Sequence, residues 1–213
     1  MRNKIAAVLG SAALILGGAA ISTAVAAPAS ADSCTGIWSI GMAGYDIYGG
    51  QDSAYFTVNQ RVGYNAYDTE GGISELNRLY WKHRSECPTD HIMILAHSEG
   101  ADLTHVWLQR NPNLSDTNTI LISDPRRPAG PGSAGFGGDP LSGVVAPIIS
   151  PLAGADGNYG GNQVLQVCRA NDVICNEEAG WDGYLNRGAH GAYSFSAYDY
   201  SVDDSGLLWL PAV

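Results

Sequence analysis

The sequence is short of positive charge. Eleven Lys and Arg stand against 21 Asp and Glu, a formal charge of −10 at pH 7. That balance excludes nucleic acid and anionic membrane surfaces as expected partners. Long apolar runs are equally scarce. After Ala20 no segment is long enough to span a bilayer, so stable membrane insertion is not expected. Metal-ligand patterns are missing too. None of the four cysteines forms a C-x₂₋₄-C pair, and the five histidines show no H-x-x-x-H spacing. Gly132–Gly138 is glycine-rich but lacks a P-loop lysine and follows no strand directly, which argues against nucleotide binding. No metal and no cofactor is expected. There are no internal repeats.

What is present begins with an export pattern. Arg2 and Lys4 precede an apolar stretch from Ile5 to Ala20, and two small-x-small sites follow at Ala24-Val25-Ala26 and Ala29-Ser30-Ala31. Residues 1–31 read as a secretory signal peptide, cleaved after Ala31 or alternatively after Ala26 or Ala27. Residues 32–213 then form one domain carrying a formal −12, located outside the cell. All four cysteines (Cys34, Cys87, Cys168 and Cys175) fall in that part, and an even number in an exported chain reads as disulfides. Count alone leaves three pairings open. Cys168 and Cys175 are near enough to close a small loop, in which case Cys34 ties to Cys87.

The domain is organised around Ile92–Gly100, IMILAHSEG. An apolar run that breaks at Ser-x-Gly and continues as ADLTHVWL predicts a strand, a sharp turn and a helix, with Ser98 exposed at the turn. Ala96 stands where the pattern has its first glycine. Gly36–Met42 reads as the first strand and the following Gly-rich stretch as a loop. Ala54–Gly63 stays undecided between helix and strand. Ile73, Leu76, Leu79 and Tyr80 fall at helical spacing after two glycines, with Pro88 beyond the helix end. Further strands are expected at Thr89–Leu95, Thr119–Ile122 and Gln163–Cys168, a helix at Ala101–Leu108, and a last helix within Tyr184–Tyr200, after or around His190. The Gly/Pro-rich stretch from Pro125 to Asn162 reads as loop, with an irregular covering segment at Val144–Leu152. The apolar tail GLLWLPAV is expected to pack. Strands alternating with helices indicate an α/β three-layer sandwich with a mainly parallel central sheet and no separate lid domain.

An activated serine needs a histidine base steadied by a buried carboxylate. His190 is the histidine that lies downstream of Ser98 and of the later strands. His83, His91, His97 and His105 read as surface or packing residues, the side chain of His97 being expected to point away from the serine. Asp172 is the preferred acid because it follows a strand and sits between Cys168 and Cys175. Asp124 and Asp182 compete with it. Backbone donors for an oxyanion are expected at Glu99, opening the helix, and at Met42 or Ala43, ending the first strand. The Glu99 carboxylate is expected to point outward, since a negative charge beside the oxyanion would oppose the reaction.

The chain resembles the cutinase family. Cys87-Pro88 followed by a strand and AHSEGA is similar to the family's C-P…G-Y-S-Q-G-A segment. Cys34 before the first strand resembles the partner of that cysteine. Cys168…Asp172…Cys175 resembles the acid loop, and GAHGAY around His190 resembles the histidine segment. His97 and Glu99 replace the common Tyr and Gln, and the first loop MAGYDIYGG is not the usual oxyanion loop. The resemblance spans Cys34 to Tyr193. It implies a cutinase-like α/β-hydrolase fold, disulfides Cys34–Cys87 and Cys168–Cys175, Ser98 as nucleophile, Asp172 as acid and His190 as base. It also implies cofactor-free hydrolysis of carboxylic esters (lipid, polyester or short acyl esters) by a monomer. Two rivals stand beside this reading: a secreted binding protein with a degenerate site, and a serine amidase or protease.

Overall fold

A computed structural model describes residue 34 and residues 36–44, 53–138 and 154–213. The expected signal peptide, the loop beyond Gly44 and the covering segment at 144–152 lie outside the described residues. Six strands build one sheet: β1 (Ile37–Met42), β2 (Gln60–Val62), β3 (His91–His97), β4 (Thr117–Ile122), β5 (Gln163–Arg169) and β6 (Gly206–Leu210). Their order is β2-β1-β3-β4-β5-β6 and every pairing is parallel. The order turns in opposite directions from β1, toward β2 on one side and β3 on the other. The carboxyl ends of β1 and β3 therefore flank a crevice, the place where open α/β sheets bind ligands.

Among the described residues three helices accompany the sheet: α1 (Thr69–Glu86), α2 (Glu99–Arg110) and the short α3 (Trp181–Asn186). α1 starts before the apolar spacing does and includes Gly71 and Gly72. The reason is the cap: Asp68 Oδ1 accepts from the Gly71 amide at 3.0 Å, which satisfies an otherwise unpaired donor of the first turn. α1 and α2 pack on one face of the sheet, where Leu76, Tyr80, Leu103 and Trp107 join Ile40, Ile92, Ile94 and Ala96. The other face buries Phe56, Met93, Leu95, Ile120 and Val167 under Tyr193, Phe195, Tyr200 and Val202. Among the described residues that second layer comes from segments with 3₁₀ turns at Ser53–Tyr55 and Ala197–Asp199 rather than from a long helix.

The three layers and parallel sheet agree with the expectation for an α/β hydrolase without an inserted lid among the described residues. Several bounds differ. The central strand runs two residues further, to His97, and α2 starts at once after Ser98. The undecided stretch before Gly63 contains a 3₁₀ turn and the short β2. The last helix, α3, comes before His190 rather than around it, and His190 itself lies in a 3₁₀ turn. The apolar tail packs as β6 against β5. Every residue of α2 from Glu99 to Leu108 is buried, not one stripe alone. The loop after residue 154 covers its outer side, where Gln109 Nε2 donates to the Asn158 carbonyl and Asn162 Nδ2 to that of Leu108.

Both disulfides are formed, Cys34–Cys87 and Cys168–Cys175. They fit an oxidising compartment. Among the described residues no helix is long and apolar enough to cross a membrane.

Candidate active site

β3 ends in a sharp turn at Ser98, whose backbone takes φ 57° and ψ −124°. A non-glycine residue in this region is strained, and such strain is found where a side chain must be presented at a fixed angle. Two glycines make room for it. A Cβ on Gly100 would stand 2.3 Å from the Ala43 carbonyl oxygen, and one on Gly44 would stand 2.8 Å from Ser98 Cβ. The tight position of this elbow is thus Gly100, while Ala96 fits in the core between β1 and β4.

His190 reaches Ser98 from the 3₁₀ turn Ala189–Gly191, anchored by the fully buried Ala189. Its Nε2 lies 2.9 Å from Ser98 Oγ, and its Nδ1 lies 3.0 and 3.2 Å from the two carboxylate oxygens of Asp172. Nδ1 therefore carries the proton and Nε2 offers its lone pair to the serine. Asp172 is buried just past β5, in the loop closed by Cys168–Cys175. It accepts from Ser123 Oγ at 2.6 Å, from Tyr193 Oη at 2.6 Å and from the Ile174 amide at 3.1 Å. Burial pushes its carboxyl up, but the hydrogen bond and charge of His190, with the Ser123 and Tyr193 hydrogen bonds, outweigh burial and hold it below its usual value. It is a carboxylate with a full set of donors.

This is a Ser–His–Asp triad, and its chemistry is that of a serine hydrolase working through an acyl-enzyme. Two serines touch the ring. Ser123, also at positive φ (52°), ends β4 on the Nδ1 side, 3.1 Å from Nδ1, fully buried and with its hydroxyl given to Asp172. Ser98 stands on the Nε2 side and is partly open to solvent. The ring faces the crevice through Ser98 and the interior through Ser123.

The other expectations resolve as follows. Met42 ends β1 and Ala43 follows it, both close against Gly100, and Glu99 opens α2. The Glu99 carboxylate does not point outward. It is buried, 3.2 Å from Tyr64 Oη. Burial pushes its pKa up to about 7, so the inward carboxyl is held largely neutral below that pH. Asp124 is not the acid of this site: it pairs with His105, Nδ1 to Oδ2 at 2.9 Å, in the interior. Asp182 is exposed and pairs with Arg187. His83 stacks on Trp38 and contacts Asp90, and His91 contacts Asn118. His97 is not turned away from the site, because its ring packs 4.5 Å from that of His190. Ser123, Tyr193, Tyr55 and Tyr64 escaped the sequence reading. Tyr193 lay in the quoted GAHGAY segment and Ser123 beside the weighed Asp124, but only the fold brings their hydroxyls to the carboxylate.

No family model matches the chain, and no curated protein does. Solved structures do. A cutinase-like protein from Cryptococcus sp. aligns with TM-score 0.53 and 15% identity, over 82% of this chain and 98% of that one. An acetylxylan esterase aligns at TM-score 0.46 and 16% identity, over 75% and 97% of the two chains. An esterase of Pyrococcus furiosus aligns at TM-score 0.42 and 13% identity, over 83% and 74%. The fold is that of the α/β hydrolases. Among the described residues, Cys34, Cys87 and Asp90 form one group with metal-ligand proximity, and both sulfurs there are bound in the disulfide.

Proposed function

We propose that this chain is an exported, cutinase-like serine esterase whose mature domain spans residues 32–213 and acts as a monomer. Ser98 is its nucleophile, His190 its base and Asp172 its acid. The observation that carries the reading is the 2.9 Å contact from His190 Nε2 to Ser98 Oγ, at a strained turn open to the crevice. The likeness in fold to the Cryptococcus cutinase-like protein supports an ester as substrate, and so does the resemblance of the motifs to the cutinase family. Export is supported by the Arg2/Lys4 and Ile5–Ala20 pattern and by the two disulfides.

The reaction runs in two halves. Ser98 Oγ attacks the ester carbonyl while its proton passes to His190 Nε2. Asp172 steadies the resulting imidazolium through Nδ1. The tetrahedral oxyanion is met by the Glu99 amide at the start of α2, and by the amide of Met42 or Ala43. Collapse breaks the ester C–O bond, the imidazolium returns its proton to the leaving alkoxide, and the alcohol departs. Water then attacks the acyl-serine, giving its proton to His190, and collapse frees the carboxylic acid while Ser98 Oγ recovers the proton. Below pH about 7 the Glu99 carboxyl is largely neutral and leaves the oxyanion unopposed.

A chain-length series of p-nitrophenyl esters, run beside Ser98→Ala, tests the reading and measures acyl preference. Turnover by the folded wild type that drops by about 10⁴-fold or more in Ser98→Ala is expected. Equal turnover by the two proteins would overturn it. Cleavage of matched amides in preference to esters would favour the amidase rival.

A further inference from the structure

His97 lies outside the triad and touches both the His190 turn and Tyr55. Its Nε2 lies 3.0 Å from the backbone carbonyl oxygen of His190. Its Nδ1 lies 3.2 Å from Tyr55 Oη. Tyr55 Oη in turn accepts from the Gly44 amide at 3.1 Å. The donor pattern follows from elementary chemistry. A carbonyl oxygen only accepts, so Nε2 carries the proton. Nδ1 then has a lone pair and accepts from the Tyr55 hydroxyl, whose oxygen accepts the Gly44 N–H. One neutral imidazole satisfies every link. Burial first, and the neighbouring His190 second, push the His97 pKa down to about 3, which keeps the ring neutral through the working range.

The far end of this chain is equally placed. Gly44 packs against Ser98, and the Ala43–Gly44 peptide is held on both sides. Its N–H goes to Tyr55, and its C=O accepts from Tyr64 Oη at 2.9 Å. Ala43 is one of the two proposed oxyanion donors. The ring of His97 is wedged between Phe195, 4.9 Å away at 67°, and His190.

We propose that His97 is a positioning residue that locks the His190 turn to the oxyanion end of β1 through Tyr55 and Gly44, so that base and oxyanion donors hold one common geometry about Ser98. This rests on the esterase reading above. The physical benefit is preorganisation: misplacement by about 1 Å costs roughly 100-fold in rate, and the two loops come from residues far apart in the chain with no direct contact between them given by the sheet.

The test uses the mature protein with p-nitrophenyl esters and imidazole nitrogen NMR. His97→Phe keeps a ring between Phe195 and His190 but removes both nitrogens. Its kcat is expected to fall about 10- to 100-fold with KM nearly unchanged. His97→Gln, whose amide can donate to the His190 carbonyl and accept from Tyr55, is expected to recover most of that loss. Tyr55→Phe cuts the same chain at a half-exposed position and is expected to lose about 3- to 10-fold in kcat, which serves if the buried variant does not fold. NMR of the wild type is expected to show His97 neutral with its proton on Nε2 at pH 7. The proposal is overturned if Tyr55→Phe or a folded His97→Phe retains wild-type kcat, or if the His97 ring is charged or protonated on Nδ1. A wild type that neither hydrolyses esters nor takes up a fluorophosphonate sinks the esterase reading instead, and the NMR tautomer still decides the hydrogen-bond chain.

Discussion

Two histidine–aspartate pairs lie side by side at the carboxyl end of this sheet. His190 meets Asp172 at 3.0 Å and His105 meets Asp124 at 2.9 Å, both through Nδ1. Both aspartates follow a strand end, β5 in one case and β4 in the other. The difference lies at the opposite nitrogen. His190 Nε2 faces a serine hydroxyl at the crevice, whereas His105 Nε2 faces the Asn158 carbonyl oxygen at 3.2 Å with the whole ring buried. The first pair keeps a lone pair for a proton. The second commits both ring nitrogens to buried oxygen atoms and joins α2, β4 and the loop at 156–158. A His–Asp pair alone therefore marks nothing; the partner of the remaining nitrogen decides between catalysis and architecture.

The comparison breaks most sharply by mutation. His190→Ala is expected to lower kcat by about 10⁴-fold or more while the thermal midpoint stays near that of the wild type. His105→Ala is expected to do the reverse. It removes a fully buried ring and one of the donors to Asp124, at a cost of about 3–5 kcal/mol in unfolding free energy, while the folded fraction keeps its kcat. Denaturant curves and active-site-normalised turnover measure both quantities on the same samples.

The disulfides sharpen the contrast between site and scaffold. Loop-closure entropy assigns about 4 kcal/mol to the Cys34–Cys87 bridge, with its separation of 53, and about 2.5 kcal/mol to Cys168–Cys175, with its separation of 7. Replacing each pair by alanine is expected to cost more stability at the first and more kcat at the second, because only the second frames Asp172. An equal effect on kcat would remove the link between that loop and the acid.

Ser123→Ala takes one of the donors from Asp172 and leaves Tyr193, Ile174 and His190 in place. A loss of about tenfold in kcat is expected. Complete loss would mean that Ser123 takes part in the chemistry directly.

A pH-dependent effect concerns Asp102, beside the second pair. Both its carboxylate oxygens are buried without a hydrogen bond, and the nearest cation atom, Arg126 Nε, is 3.8 Å away. Burial first, then the Asp124 charge, pushes its pKa up to about 8. The folded state then holds the proton more tightly than the unfolded chain. This group favours folding fully below the unfolded value near 3.8, and the advantage is lost as pH rises toward 8. The midpoint difference, Asp102→Asn minus wild type, is expected to grow from pH 4 to pH 8 and then level off. A constant difference would contradict the raised pKa.

Much of this was legible in the chain itself. IMILAHSEG is a short-range pattern, and a buried strand followed by an elbow and helix can be read from it. The order Ser98, Asp172, His190 and the cysteines around Asp172 are likewise local signals. What could not be read depends on long-range contact. The direction of the Glu99 carboxyl depends on Tyr64, which is 35 residues away in sequence. Ser123 meets Asp172 because β4 and β5 are neighbours, and Tyr193 reaches it from the segment after the His190 turn. His97, expected to point away from the serine, could not be placed because the strand continues to it and sets its ring against that of His190. The early start of α1 shows a side-chain cap overriding two poor helix formers.

The central claim is that the ring of His190 activates Ser98 and not its other serine neighbour. Fluorophosphonate labelling of the folded protein, with the modified peptide mapped by mass spectrometry, tests it most directly. The expected result is one adduct on Ser98, retained in Ser123→Ala and absent from Ser98→Ala. An adduct on Ser123, or a folded wild type that takes up no label, would contradict it.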